Sequence, residues 1–151
     1  MKDIRTGDRY QLGTHVLGCG SALDADFVKE VVGDAEIRVI LSDPPYGVAY
    51  VESGGDVRTM GKIEGGVRII AGDQLQTESE YAEFTRKWLE AISPSLASYN
   101  ACYIFNADSM FCALRSGMAA AGFYYSQMIV WIKNTVVIGR KDYLPQHELI
   151  A

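Results

Sequence analysis

The sequence predicts an α/β domain built on a doubly wound, mostly parallel sheet, and three observations carry that expectation. Apolar runs of strand length alternate with segments of helical period. The β-branched run Arg38-Val39-Ile40-Leu41-Ser42 is stopped by Asp43-Pro44-Pro45-Tyr46, because two prolines cannot continue a ladder. A carboxylate is thereby set at the carboxyl end of a strand, where open α/β sheets receive their ligands. The chain of 151 residues, 48% of them hydrophobic, carries enough apolar material for one sizeable core, so residues 1–151 read as a single domain.

His15-Val16-Leu17 reads as a short strand. Asp24 or Asp26 then caps a helix running to about Val32, which Gly33-Asp34 ends. The strand over residues 37–41 follows, then the Asp43-Pro44-Pro45-Tyr46 segment. Residues 47–72 are glycine-rich, polar and without a period, and read either as a long flexible loop acting as a lid or as a disordered surface excursion. Thr77-Glu78-Ser79-Glu80 has the pattern of a capping box, and Tyr81, Phe84, Trp88, Leu89 and Ile92 recur behind it at helical spacing until Ser93-Pro94. That stripe reads as core. Residues 101–105 form a buried strand, and Asn106-Ala107-Asp108-Ser109 leads into a helix with Met110, Phe111, Leu114 and Met118 that Gly122 closes. Asn106 and Asp108, at the end of that strand, read either as lining the same rim as Asp43 or, through Asp108 or Ser109, as the cap of the helix. Residues 123–132 read as a long strand, 136–138 as a short extended piece and 146–150 as a final strand, with an antiparallel pairing near that end.

Composition narrows the function classes. No segment is long and apolar enough to span a membrane, and Met1-Lys2-Asp3-Ile4-Arg5 does not open a signal peptide. Cys19, Cys102 and Cys112 make no metal-ligand pair and leave an odd thiol, which fits a reducing, cytoplasmic setting. The two histidines lie far apart, and no metal site is expected. A net charge of −5 gives no general attraction to phosphates, so any contact with a nucleic acid must be local or come from elsewhere.

The strand-end segment suits one chemistry in particular. An exocyclic amino nitrogen of adenine or cytosine delocalises its lone pair into the ring and is a poor nucleophile. If one N–H donates to the Asp43 carboxylate and the other to the Pro44 carbonyl, the nitrogen moves toward tetrahedral geometry and its lone pair becomes available to a methyl group. Pro44 and Pro45 fix φ on both residues, which holds these acceptors in place. Tyr46 then stacks on a base taken out of the duplex.

At these residues the chain resembles the amino-methylating DNA methyltransferases, whose signature is Asp/Asn/Ser-Pro-Pro followed by an aromatic residue. The similarity to the circularly permuted, phage- and prophage-type DNA modification methylases extends to Tyr10-Gln11-Leu12-Gly13-Thr14-His15, Asn106-Ala107-Asp108-Ser109, Val130-Trp131-Ile132-Lys133-Asn134, Asp142-Tyr143 and Gln146-His147-Glu148. The resemblance implies a Rossmann-like methyltransferase fold, S-adenosylmethionine as methyl donor and DNA as substrate. Asp at the first signature position points to the adenine-N6 branch, with cytosine-N4 transfer served by the same geometry. It implies Asp43, Pro44, Pro45 and Tyr46 as the catalytic set. Gly18-Cys19-Gly20 stands after the first strand as a turn with Gly20 and Ser21 as candidate cofactor contacts, together with Asp43. Ser21 occupies a place where the family usually carries Asp. Arg58, Lys62 and Arg68 are candidate phosphate contacts, Lys133 a candidate phosphate or base contact, and His147 an orienting group near the target base.

The family's Phe-x-Gly-x-Gly cofactor turn and its target-recognition region are not found in these 151 residues. The expectation is therefore the catalytic half of a site-specific methyltransferase, inactive alone or completed by a second chain or a missing C-terminal half. The contrasting reading is a degenerate, non-catalytic remnant that binds DNA or a partner. The charge and Ser21 favour the remnant, and the undamaged signature favours the enzyme.

Overall fold

The computed structural model describes residues 3–49, 74–135 and 142–151. Arg9–Leu12 (β1) and His15–Gly18 (β2) form an antiparallel hairpin, in which β1 is a strand that the sequence pattern alone does not announce. Helix α1 spans Ala25–Val32. Its cap is Asp24, whose carboxylate accepts from the backbone N–H groups of Asp26 and Phe27 at 3.1 Å. Strand β3 runs Ile37–Ser42, helix α2 Glu78–Ile92, β4 Leu96–Asn106, helix α3 Phe111–Ala120, β5 Ile129–Ile132 and β6 His147–Ile150. Single 3-10 turns, Ser93–Ser95 and Asp108–Met110, precede β4 and α3.

Helix α2 begins as expected. The Thr77 side chain accepts from the Glu80 N–H while the Glu80 carboxylate accepts from the Thr77 N–H at 2.8 Å, so two otherwise unpaired helix-end donors are satisfied. Neither Asp108 nor Ser109 caps α3. Met110 occupies that position without a side-chain cap bond, because the chain enters the helix through a 3-10 turn.

Four strands make the main sheet in the order β3-β4-β6-β5. β3 and β4 are parallel and joined through α2, whereas β4–β6 and β5–β6 are antiparallel. The sheet is thus mixed, in contrast to the mostly parallel one expected, and the antiparallel pairing near the end of the chain is present. The expected strand over 123–132 is shorter. Phe123 donates its N–H to Met118 in a helix-ending turn and packs with Tyr125 against the α3 side of the core, leaving only Ile129–Ile132 in the ladder. β4 is longer than the expected 101–105. The pieces expected over 47–72 and 136–138 fall largely or wholly outside the described residues.

The core lies on one face of the sheet. Ile40 and Ile104 meet Tyr81, Trp88 and Leu89 of α2, and Met110, Ala113, Leu114 and Met118 of the α3 segment. Burying a side chain such as Leu89 contributes roughly 1.5–3 kcal/mol. The two helices approach closely at Gly117, where a Cβ would stand 2.4 Å from the Ala82 carbonyl oxygen. On the opposite face Val39 and Leu41 are exposed, and among the described residues no helix covers them, so the two-sided cover of a doubly wound sheet is not seen. No described helix is long and apolar enough to cross a membrane.

Candidate active site

The signature segment is fixed at both ends. Before it, Ser42 pairs in register with Ile104 in the parallel ladder. After it, Gly47 takes φ +67°, and its carbonyl accepts from the Gln76 N–H at 2.9 Å, immediately before the Thr77 cap of α2. A Cβ at Gly47 would meet Gln76 at 3.0–3.2 Å, so both conformation and space favour glycine there. Asp43 is exposed, while Pro44, Pro45 and Tyr46 are half-buried. A carboxylate at a strand end, beside prolines that cannot donate, is available to an outside donor.

One oxygen of that carboxylate is already engaged. The Tyr46 hydroxyl donates to Asp43 Oδ1 at 2.5 Å. Burial of the phenol raises its pKa far above the usual value, and the bond to Asp43, the charge of Asp43 and the nearby Glu148 and Tyr81 act in the same direction. Tyr46 is therefore a neutral donor at physiological pH. Tyr81, a member of the core stripe expected from the sequence, is fully buried. Its hydroxyl nevertheless accepts from the side-chain amide of Asn106, the last residue of β4, at 3.0 Å. Asp43 at the β3 end thus bonds Tyr46 directly, Glu148 of β6 and Tyr81 of α2 bear on its charge, and Asn106 at the β4 end bonds Tyr81 in turn. Tyr81 is the participant that sequence reasoning placed only in the core stripe, since an apolar period does not reveal what a hydroxyl bonds to, whereas Glu148 belongs to a segment the resemblance sets near the target base.

Lys133 lies just after β5, and its ammonium is paired with the Glu148 carboxylate and lies 5.9 Å from the Trp131 ring centroid. The two backbones are joined there too, with the Lys133 N–H donating to the Gln146 carbonyl at 2.8 Å. His147, at the start of β6, is exposed. Arg58, Lys62 and Arg68 lie outside the described residues. Among the described residues no cluster of His, Cys, Asp or Glu is arranged to hold a metal ion.

The Gly18-Cys19-Gly20 turn is brought against α1. Phe27 lies so close that a Cβ on Gly20 would be 2.2 Å from its ring, and one on Gly18 would be 2.6 Å from Val31. The Ser21 hydroxyl accepts from the Leu23 N–H at 3.2 Å, and the Ser21 carbonyl from the Asp24 N–H. Both glycines therefore make room for an internal ring, and Ser21 begins a turn into the cap of α1.

A strand-end carboxylate held beside a proline carbonyl suits gripping an amino group, which is the chemistry of the amino-methyltransferases. The chain belongs to the N6/N4 DNA methylase family, whose model matches residues 37–151, well over half its length. No curated protein matches it. The matched stretch contains β3, the signature and everything after it, and leaves out the hairpin and α1. DNA methylases of this family generally use S-adenosylmethionine as methyl donor. Gly20 and Ser21 do not fit a cradle for it, because Phe27 fills the hollow that paired glycines would otherwise offer. Asp43, exposed at the strand end, remains as a candidate cofactor contact.

Proposed function

We propose that this chain is the base-binding, catalytic part of a site-specific DNA adenine-N6 methyltransferase. The observation that carries the reading is the exposed Asp43 carboxylate at the carboxyl end of β3, followed by two prolines and a half-buried aromatic ring whose hydroxyl bonds back to it. In this reading the target adenine leaves the duplex and enters at the strand end, with its ring on Tyr46. One amino N–H donates to Asp43 and the other to the Pro44 carbonyl. Pro45 keeps the turn rigid, so the acceptors are in place before the base arrives. Gripped by both N–H groups, the nitrogen gives up conjugation with the ring and exposes its lone pair to the incoming methyl group. The surplus proton leaves to solvent after the methyl group has arrived, so no general base is required of His147.

S-adenosylmethionine is the donor in this reading, and its principal site is supplied by a longer polypeptide or a second chain. The turn at Gly18-Cys19-Gly20, occupied by Phe27, supports that division. Arg58, Lys62 and Arg68 supply phosphate contacts, with Lys133 and His147 near the extruded base. DNA from cells carrying the chain in its native context contains N6-methyladenine, detected by nucleoside mass spectrometry. Asp43→Ala lowers it by about a hundredfold or more, the usual scale for removing a preorganised polar group that acts in the transition state, while the protein still unfolds cooperatively. Undiminished methylation in that variant refutes the mechanism, and N4-methylcytosine in place of N6-methyladenine reassigns the target base.

A further inference from the structure

The signature's aromatic position needs only a flat ring if stacking is its sole task, yet here the ring ends in a hydroxyl that is used. Tyr46 Oη donates to Asp43 Oδ1 at 2.5 Å across a three-residue separation that contains both prolines. With φ fixed at Pro44 and Pro45, the two side chains have few ways to move apart. A carboxylate on an exposed strand end otherwise turns freely about its own side-chain torsions, and a single strong hydrogen bond removes that freedom.

We propose that the Tyr46 hydroxyl is a positioning group for Asp43: by occupying Oδ1 it orients the carboxylate so that Oδ2 receives the amino group of the extruded base. This rests on the amino-methylation reading above and adds to it a task for the phenol. A carboxylate has acceptor sites on both oxygens, so one donor on Oδ1 leaves Oδ2 fully able to accept. Donors on the two oxygens of one carboxylate lie side by side. One carboxylate therefore accommodates the phenol on one oxygen and the amino group on the other. The phenol must keep its proton for this. Its burial, the hydrogen bond to Asp43 and the Asp43 charge, Glu148 from β6 and Tyr81 from α2 all oppose ionisation.

Tyr46→Phe keeps a ring for stacking and removes only the donor. In the native context its kcat for methyl transfer falls about tenfold or more, the size expected for removal of a hydrogen bond to a charged group, while KM for DNA stays within about twofold. Tyr46→Ala, which loses the ring as well, raises KM in addition. An activity-independent arm follows tyrosine Cζ signals by carbon-13 NMR as pH rises in the 151-residue chain, with Tyr46→Phe assigning the resonance. The Tyr46 signal stays protonated above the ordinary phenol value in the parent chain and ionises at lower pH in Asp43→Asn. A Tyr46 that titrates at the ordinary phenol value, or a Tyr46→Phe enzyme with parental kcat, overturns the proposal. Absence of transfer by the parent enzyme refutes the amino-methylation reading and the positioning role with it, whereas the NMR arm decides the hydrogen bond separately.

Discussion

Asn106 donates its side-chain amide N–H to the Tyr81 hydroxyl at 3.0 Å, tying the last residue of β4 to the first turn of α2 with both side chains essentially removed from solvent. The bond spans the gap between the strand neighbouring the signature and the helix that follows it.

Removing either side chain breaks this buried hydrogen bond. Asn106→Ala is expected to cost about 1–3 kcal/mol and Tyr81→Phe a similar amount. Urea denaturation followed by tryptophan fluorescence measures both. A double variant that costs clearly less than the two single losses added identifies them as one interacting pair. Strict additivity speaks against the bond.

Gly20 is predicted to be a packing residue. A methyl group there would overlap the Phe27 ring, so Gly20→Ala destabilises the hairpin against α1 by about 1–3 kcal/mol, the range for overpacking. Affinity for S-adenosylmethionine in the completed enzyme, measured by calorimetry, stays as it was. A selective loss of donor affinity with unchanged stability would return this turn to the cofactor site.

The acid limb of the stability profile is set partly by the α2 surface. Glu80 is held below its usual pKa by the Thr77 N–H and then by the Thr77 hydroxyl. Glu83 is held down to about 2, first by its hydrogen bond from Arg86. Folding lowers both values relative to 4.5, so the unfolded chain binds more protons in this window and stability rises with pH. The contribution is complete above about pH 4.5 and fades as pH falls through the lowered values. Thr77→Ala removes the cap, worth about 0.5–2 kcal/mol, and flattens this pH dependence. Added salt weakens the Glu83 part more, since it rests on ion pairs with Arg86, which is partly accessible, and Lys87, which is exposed.

Lys133 is predicted to matter for stability more than for phosphate binding. Its pair with Glu148 is about three-quarters buried on each side. Lys133→Met leaves a partly buried carboxylate alone, with an expected loss of about 1–3 kcal/mol. In DNA-binding titrations by anisotropy at several salt concentrations, the slope of log K against log salt stays unchanged in Lys133→Met. Neutralising Arg58, Lys62 or Arg68 lowers its magnitude by about 0.9 for each phosphate that no longer meets a cation. A slope reduced by that amount in Lys133→Met would show the ion pair opening onto DNA.

Local signals in the sequence translate directly into local structure. Asp24 caps α1, the Thr77–Glu80 box opens α2, and the Asp43-Pro44-Pro45-Tyr46 segment stands where β3 stops. Each depends on bonds within three or four residues, so each is written in adjacent letters. The hairpin strand Arg9–Leu12 is missed because its four residues, Arg9-Tyr10-Gln11-Leu12, are too short a run to stand out, and its pairing with His15–Gly18 makes it a strand. Residues 123–128 mislead in the other direction. Their aromatic side chains serve a tertiary contact, with Tyr125 edge-on to Phe111 and beneath the Arg115 guanidinium at 4.3 Å, and apolarity alone does not separate that from a ladder.

By itself, then, the sequence determined the elements whose hydrogen bonds close nearby and the chemistry of the strand-end segment, because prolines and caps act on their immediate neighbours. Tertiary structure alone decided that β6 sits between β4 and β5, that Phe27 fills the glycine turn, and that the Tyr81 hydroxyl accepts from Asn106. Those relations join residues far apart in the chain, and their energies come from burial and from the pairing of polar groups that meet only once the sheet has formed.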